Sequence, residues 1–289
     1  MPTATKQLRQ LLNARAGAVL PGCHDAIGGR LIEQAGYSAA YMSGFCVAAS
    51  MGLPDVGLVT MTDMVERAGI IANAIKVPLV TDADTGYGSI PNVVDTVRRM
   101  EHAGVAGLHL EDQTTPKKCA AIAGKQLISI EEMQQKIKAA LAARRDPDFA
   151  IIGRTDAVIT DDLPEAIRRA QAMEQAGADA VMVMSLATLE EMKQVADAVK
   201  GPKIVLMSET VRQTYPVAEL RKMDFSLIIY PLTLILRAAG AQREVLDALK
   251  AEGDTKRFMN GMMPFKEMNK LAGLDEVVQW ETTYATAAE

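Results

Sequence analysis

Short apolar runs of a few residues recur along the chain, each followed by a longer stretch in which apolar positions return every three or four residues. The first kind reads as strands buried on both faces, and the second as amphipathic helices. The pattern predicts strands over 18–20, 39–42, 78–81, 107–110, 150–153, 180–183, 203–206 and 227–230. Helices are predicted over 26–35, 62–75, 92–103, 130–143, 163–176, 189–199, 218–222 and 234–251. A weak repeat supports the alternation: Glu33-Gln34-Ala35-Gly36, Glu101-His102-Ala103-Gly104 and Glu174-Gln175-Ala176-Gly177 each put a glycine just past a helix, where a left-handed residue ends it with least strain. Eight such units fit an α/β fold of the (β/α)8 TIM-barrel type better than an open doubly wound sheet, which has fewer strands and a glycine-rich first turn. No Pro/Gly/Ser linker divides the chain, so residues 1–257 are expected to form one barrel domain. Residues 258–289, with Trp280 and Tyr284, read as an additional C-terminal helical segment for packing or subunit contacts.

Composition narrows the class of partner. A chain of 289 residues that is 49% hydrophobic can bury a large core, and a net charge of −5 leaves no basic face for nucleic acid and no polybasic membrane anchor. There is no apolar run of transmembrane length and no signal-type apolar segment in residues 1–14, so a cytoplasmic protein with a small-molecule ligand is expected. Three scattered cysteines, Cys23, Cys46 and Cys119, argue against a disulfide framework and against a CxxC zinc site.

The candidate chemistry begins where the third apolar run, Val77-Pro78-Leu79-Val80, ends in Thr81-Asp82-Ala83-Asp84-Thr85-Gly86-Tyr87-Gly88. If the strand conformation continues that far, carboxylates at i and i+2 point the same way, and Asp82 and Asp84 converge on one hard cation such as Mg2+. A turn followed by a helix cap is the plain alternative for Asp84-Thr85-Gly86. An EF-hand loop is excluded, because Tyr87 stands where its glycine belongs and Val93 where its glutamate does. In a barrel the site lies at the C-terminal ends of the strands. Those ends carry Ser43, Gly44, Phe45 and Asp55 after the second strand, Asp82 and Asp84 after the third, Glu111 after the fourth and Arg154 after the fifth. So many acids would overcharge one ion unless most act through water, so Asp84 is the expected direct ligand, with Asp82, Asp55 and Glu111 holding waters. Arg154 offers a fork for a substrate carboxylate or phosphonate, or pairs structurally with a rim acid. Backbone amides at Ser43-Gly44-Phe45 suit a carboxylate or enolate oxygen. Cys119 follows Lys117 and Lys118; it is either a passive loop thiol or one whose acidity the lysines raise for proton transfer.

These stretches resemble the isocitrate lyase/phosphoenolpyruvate mutase superfamily, nearest its 2-methylisocitrate lyase, 2,3-dimethylmalate lyase and carboxyphosphonoenolpyruvate phosphonomutase branch. The likeness runs through Pro21-Gly22-Cys23-His24-Asp25, Tyr41-Met42-Ser43-Gly44, Gly52-Leu53-Pro54-Asp55, Asp82-Ala83-Asp84-Thr85-Gly86-Tyr87-Gly88, Leu110-Glu111-Asp112-Gln113, Lys117-Lys118-Cys119, Arg154-Thr155-Asp156 and Tyr230-Pro231-Leu232. It implies Mg2+ or Mn2+ on the acids, an α-oxy carboxylate held by Ser43, the following amides and Arg154, Tyr41 close to the reacting oxygen, and Cys119 on a gating loop as proton donor. It also implies a homotetramer with an exchanged C-terminal helix. The chain departs from that pattern at Ala120-Ala121, where Gly-His is usual, at Met184 in place of a glutamate, and near Met207 in place of an asparagine, within Ser208-Glu209-Thr210-Val211-Arg212. The expectation is a Mg2+-dependent carbon–carbon lyase that cleaves a malate- or methylisocitrate-like 2-hydroxy acid to a 2-oxo acid such as pyruvate. The alternatives are an oxaloacetate decarboxylase, a phosphonomutase or hydrolase acting on a phosphonopyruvate-type substrate, and a non-catalytic metabolite-binding relative.

Overall fold

Every position of the second to sixth strands is buried, which is what a parallel sheet covered on both faces requires. In the computed structural model, which describes residues 2–119, 122, 124–209 and 214–285, these segments form a closed eight-stranded barrel. Its strands are β1 (Ala18–Cys23), β2 (Ala40–Met42), β3 (Leu79–Asp82), β4 (Gly107–Glu111), β5 (Ala150–Thr155), β6 (Ala180–Val183), β7 (Lys203–Leu206) and β8 (Leu227–Tyr230). Each pairs in parallel with its sequence neighbour, and β8 returns to β1 with Ala18 opposite Leu227. The protein is a (β/α)8 barrel, as its pattern predicts.

Strand alternation splits the core in two. Inward residues, among them Leu20, Tyr41, Val80, Ile152, Met182 and Ile204, fill the barrel. Outward residues, such as Met42, Leu79, Leu108, Val181 and Val205, meet Ile32, Met64, Val97, Ile137 and Val195 from the surrounding helices. The predicted glycine stops are borne out: Gly36, Gly104 and Gly177 have φ of 84°, 91° and 98°, which a side chain would strain. Observed helices depart from the predicted ones by a residue or two; Ile90–His102, for instance, starts earlier because Ser89 and Asn92 form a capping box ahead of Pro91.

A helix over Ala4–Ala14 was not among the predicted elements. Its two inward leucines, Leu8 and Leu12, are one turn apart and fully buried with the barrel's inner core, and Ser226 Oγ donates to the Leu12 carbonyl at 2.7 Å. Ala4, Leu8, Leu11 and Leu12 give this segment a clear helical spacing, and Thr3 accepts the cap bond from the Lys6 amide, so the signals for the helix were present.

The chain divides into two units, Met1–Ile235 and Leu236–Glu289. The first holds the barrel. The second holds most of the helix Thr233–Glu252, a 3-10 segment at Lys256–Gly261, and helices over Phe265–Leu271 and Leu274–Tyr284. Among the described residues no helix is long and apolar enough to cross a membrane.

Candidate active site

Strands β2 to β5 are neighbours in the barrel, so the polar residues that follow them come together on one side of the rim. Asp82 ends β3, and its two oxygens accept from the Asp84 amide at 2.9 Å and the Gly44 amide at 3.2 Å. The extended run expected through Asp84 stops short of it. Asp84 has φ 48°, a left-handed conformation that aspartate tolerates better than most residues. That turn still brings Asp84 alongside Asp82, and both face Gly44, where a Cβ would stand 2.9 Å from Asp82 Oδ2. Only glycine permits so close an approach. The Gly44 amide expected to hold a substrate oxygen therefore bonds Asp82 instead.

Lysine enters where an ion was expected. Lys117 Nζ lies 2.6 Å from Asp55 Oδ1 and 2.8 Å from Asp84 Oδ1. Glu111 turns away toward Arg154 Nη2 at 3.0 Å and Gln113 Nε2 at 3.1 Å. Arg154 also pairs with Asp156, Nη2 to Oδ2 at 3.0 Å, and Thr155 and the Asp156 amide bond Asp112 beneath it. The four acids Asp55, Asp82, Asp84 and Glu111 thus do not point at one centre, and among the described residues no three acid, cysteine or histidine side chains are grouped to hold an ion as they stand. Both cations have been drawn into the acid cluster: Lys117 compensates Asp55 and Asp84, and Arg154 compensates Glu111 and Asp156, with Asp82 farther off at 3.9 Å. Asp84 Oδ1 nevertheless fits a divalent ion: it is a buried carboxylate oxygen whose contact is the Lys117 ammonium at 2.8 Å, a positive charge that a bound ion can replace.

Burial sets the protonation states. It pushes Asp84 up to about 7 against the opposing Lys117 charge, and it raises Glu111 well above the usual carboxylate range. Burial acts on Asp82 in the same direction, but nearby positive charge outweighs it and holds this carboxyl well below its ordinary value. Burial also lowers His109 to about 4, so at neutral pH that ring is uncharged and Lys117 and Arg154 are the cations that keep Asp82 ionised. His109 was not singled out from the sequence, and Lys117 was named only as a neighbour of the Cys119 thiol, not as a partner of Asp55 and Asp84. His109 stacks on Tyr41, with ring centroids 5.8 Å apart, and its Nε2 lies 2.8 Å from Tyr41 Oη. The signal was present: on β4, Gly107, His109 and Glu111 share the inward parity, and a histidine there must face the barrel interior.

A cavity of about 50 Å3 opens at this rim. Its polar side is formed by Tyr41, Ser43, Asp55, Asp82, Lys117 and Arg154, with Cys119 reaching in from the loop after β4. Phe45, Met184, Leu206, Pro231 and Leu232 make the apolar side, next to Ser208. Met184 stands on the wall as expected. Met207 does not: it is buried in the outer core layer, and Leu206 takes the wall position, because neighbouring residues at the end of β7 point to opposite faces. Ala120, Ala121 and Thr210 to Arg212 lie outside the described residues.

The sequence profile of the phosphoenolpyruvate phosphomutase family matches residues 8–250. The chain belongs to that family. Among its relatives, the 2,3-dimethylmalate lyase of Eubacterium barkeri is 43% identical over 99% of both chains. The solved structure of phosphonopyruvate hydrolase with oxalate and Mg2+ superposes with a TM-score of 0.91 at 32% identity, covering 99% of this chain and all of that one. An oxaloacetate acetylhydrolase bound to 3,3-difluorooxalacetate superposes with a TM-score of 0.93 at 31% identity, over 99% of each chain. The ligands named for these two structures, oxalate and 3,3-difluorooxalacetate, are small carboxylic acids.

Proposed function

We propose that the protein is a Mg2+-dependent carbon–carbon lyase that splits a 2-hydroxy acid of the alkylmalate kind into a 2-oxo acid such as pyruvate and a shorter carboxylic acid. The observation that carries this reading is the division of the cavity. An ionic half suits the oxygen-bearing C1–C2 end, and an apolar half beside the Cys119 thiol suits an alkyl-substituted leaving carbon.

Arg154, braced by Asp156 and Glu111, and Ser43 are the groups proposed to hold the C1 carboxylate. With the His109 proton on Nδ1, Nε2 accepts from Tyr41. The C2 hydroxyl can then pass its proton to Tyr41 Oη as the phenol proton moves to His109, whose cation, disfavoured at rest by burial, lasts only while the bond breaks and is balanced by Asp82, 3.7 Å from Nδ1. The Tyr41 phenol is itself pushed far above its usual range by burial, which favours this relay over a standing phenolate. As C2 becomes a carbonyl, the C2–C3 bonding pair stays on C3, and the Cys119 thiol delivers a proton there. When bound, Mg2+ on Asp84, with Asp82, Asp55 and Glu111 about it, supplies a Lewis acid for the C2 oxygen and balances the charge that develops. Lys117 and Cys119 line this cavity from the loop after β4, so the position of that loop bounds the space left for substrate.

The domain arrangement and the assembly belong to the same proposal: a barrel over 1–257 and a contact segment over 258–289 that builds a homotetramer in the cytoplasm. Phe265 and Tyr284, 84% and 80% exposed, are the large apolar residues on which that contact rests.

The test is an assay of 2-oxo acid release, coupled to lactate dehydrogenase, with Mg2+ and an EDTA control. It is run across 2,3-dimethylmalate and other alkylated malates, 2-methylisocitrate, isocitrate and oxaloacetate. Mg2+-dependent release from an alkylated malate is the expected result. Release from oxaloacetate alone would replace the lyase with a decarboxylase, and silence on every carbon substrate would turn the reading to phosphonates.

A further inference from the structure

We infer that Lys117 is a tethered cation that competes with the divalent ion for Asp55 and Asp84, so that loading the ion unlatches the loop that carries Cys119. The inference keeps the ion of the proposed reading but does not depend on which bond the enzyme breaks.

The oxygens available to an ion are few. Asp82 has one oxygen on the Asp84 amide and the other on the Gly44 amide, and Glu111 is engaged by Arg154 and Gln113. That leaves Asp55 and Asp84, and the ammonium of Lys117 lies against both, within 2.8 Å, on a side chain only 6% exposed. An ion bound directly to Asp84 sits closer to the carboxylate than an ammonium does, and two cations crowded onto one buried oxygen pair repel each other. The weaker and tethered one has somewhere to go, because it sits on a loop.

That loop is fastened at the same place. The Cys119 amide donates to the Asp55 carbonyl at 3.0 Å, so Asp55 grips the loop through its backbone as well as its side chain. Pro116 and Lys117 pack on Gly57, where an added Cβ would come within 3.3 Å of Pro116. Other ties nearby are lighter: Thr115 Oγ1 lies 3.1 Å from Thr85 Oγ1, and the Gln113 side chain brackets the Lys118 backbone. Farther along the same loop Lys125 pairs with Asp156 at 3.2 Å, so displacing the Lys117 ammonium loosens the stretch that leads into Cys119 while Lys125 holds the far end. The ion thus readies the thiol loop to open for substrate.

Mn2+ binding, followed by the loss of the free-ion signal in electron paramagnetic resonance, tests the first half without substrate. Lys117→Met should bind Mn2+ at least about fivefold tighter than the wild-type protein, the low end of usual coupling between sites. Equal or weaker binding in the variant overturns the inference while leaving the ion assignment intact. If neither protein binds Mn2+, both fall. The second half is read on the unaltered chain, which covers the case of a variant that does not fold. Alkylation of Cys119, identified by its loss in Cys119→Ser against the buried Cys23 and Cys46, should quicken several-fold when Mg2+ is added. An unchanged or slower rate overturns the latch. The rates are compared at a pH where the thiol is fully ionised, because a nearby cation by itself changes the thiol's acidity; there a merely electrostatic influence of Lys117 leaves the rate where it was.

Discussion

His109 is a buried ring whose charge the fold refuses. Its proton is favoured in the unfolded chain below about 6.5 and in the folded one only below about 4, so between these values unfolding takes up a proton. Stability contributed by the neutral ring is therefore complete above about pH 6.5 and is lost as the pH falls toward 4. The loss is on the order of 3 kcal/mol for a shift of this size. His109→Gln, which keeps an acceptor for Tyr41, should narrow the wild-type advantage by that amount between pH 6.5 and 4 in denaturant titrations; parallel curves for the two proteins would refute it. At the same scale, Cys119→Ser should lower turnover of an alkylmalate by two orders of magnitude or more, the usual range for losing a positioned proton donor, while oxalate still binds. Undiminished turnover would take the thiol out of the mechanism. Single residues were the hardest to read in advance. Asp82 and Asp84 announce themselves by spacing, and Arg154 by the strand it ends, but the meeting of Lys117 with Asp55 and Asp84 joins residues that are distant in the chain. No local pattern encodes it.

Elements were more legible, because period and burial are local properties. All eight strands lie where the apolar runs put them, with β1 and β5 longer by a few residues at their ends and β3 carried one residue on to Asp82. The short helix Gly44–Ser50 and the four-residue helix Ala157–Thr160 were missed, since seven or fewer residues are too short a window for a helical period to show. Parity also corrects function at this scale. The wall opposite the acids is made by Met184 after β6 and Leu206 at the end of β7, while Met207 belongs to the outer core. Met184→Glu combined with Leu206→Asn should therefore shift the ratio of kcat/KM for 2-methylisocitrate over 2,3-dimethylmalate upward by at least tenfold. A glutamic acid kept protonated by burial, together with the amide, can donate to a third carboxylate arm, and both are left unpaired beside an alkyl group. Substituting Met207 in place of Leu206 should lower stability without that switch, and an equal switch from either position would undo the parity argument.

At the scale of the molecule, the succession of eight units was enough to set the barrel, and the unit that closes its floor was the part left out. Leu8 and Leu12 reach the inner core with Ala4 and Leu11 packed beside them, an i, i+3, i+4 spacing that marks a helix but, standing before the first strand, belongs to none of the eight repeated units. Leu8→Ala should nevertheless cost about 3 kcal/mol in chemical denaturation at fixed protein concentration, as for other fully buried leucines. A loss below about 0.5 kcal/mol, the usual size of a surface change, would mean the helix is ornamental to the core. The order of strands around the barrel has a further consequence. Since the charged lining residues come from β2 to β5 and the apolar ones, Phe45 apart, from β6 to β8, bond-breaking and substrate choice are written in largely separate stretches of the chain. A lineage can exchange the second half of the gene, from about residue 180 onward, and acquire a new side-chain preference while inheriting its chemistry intact.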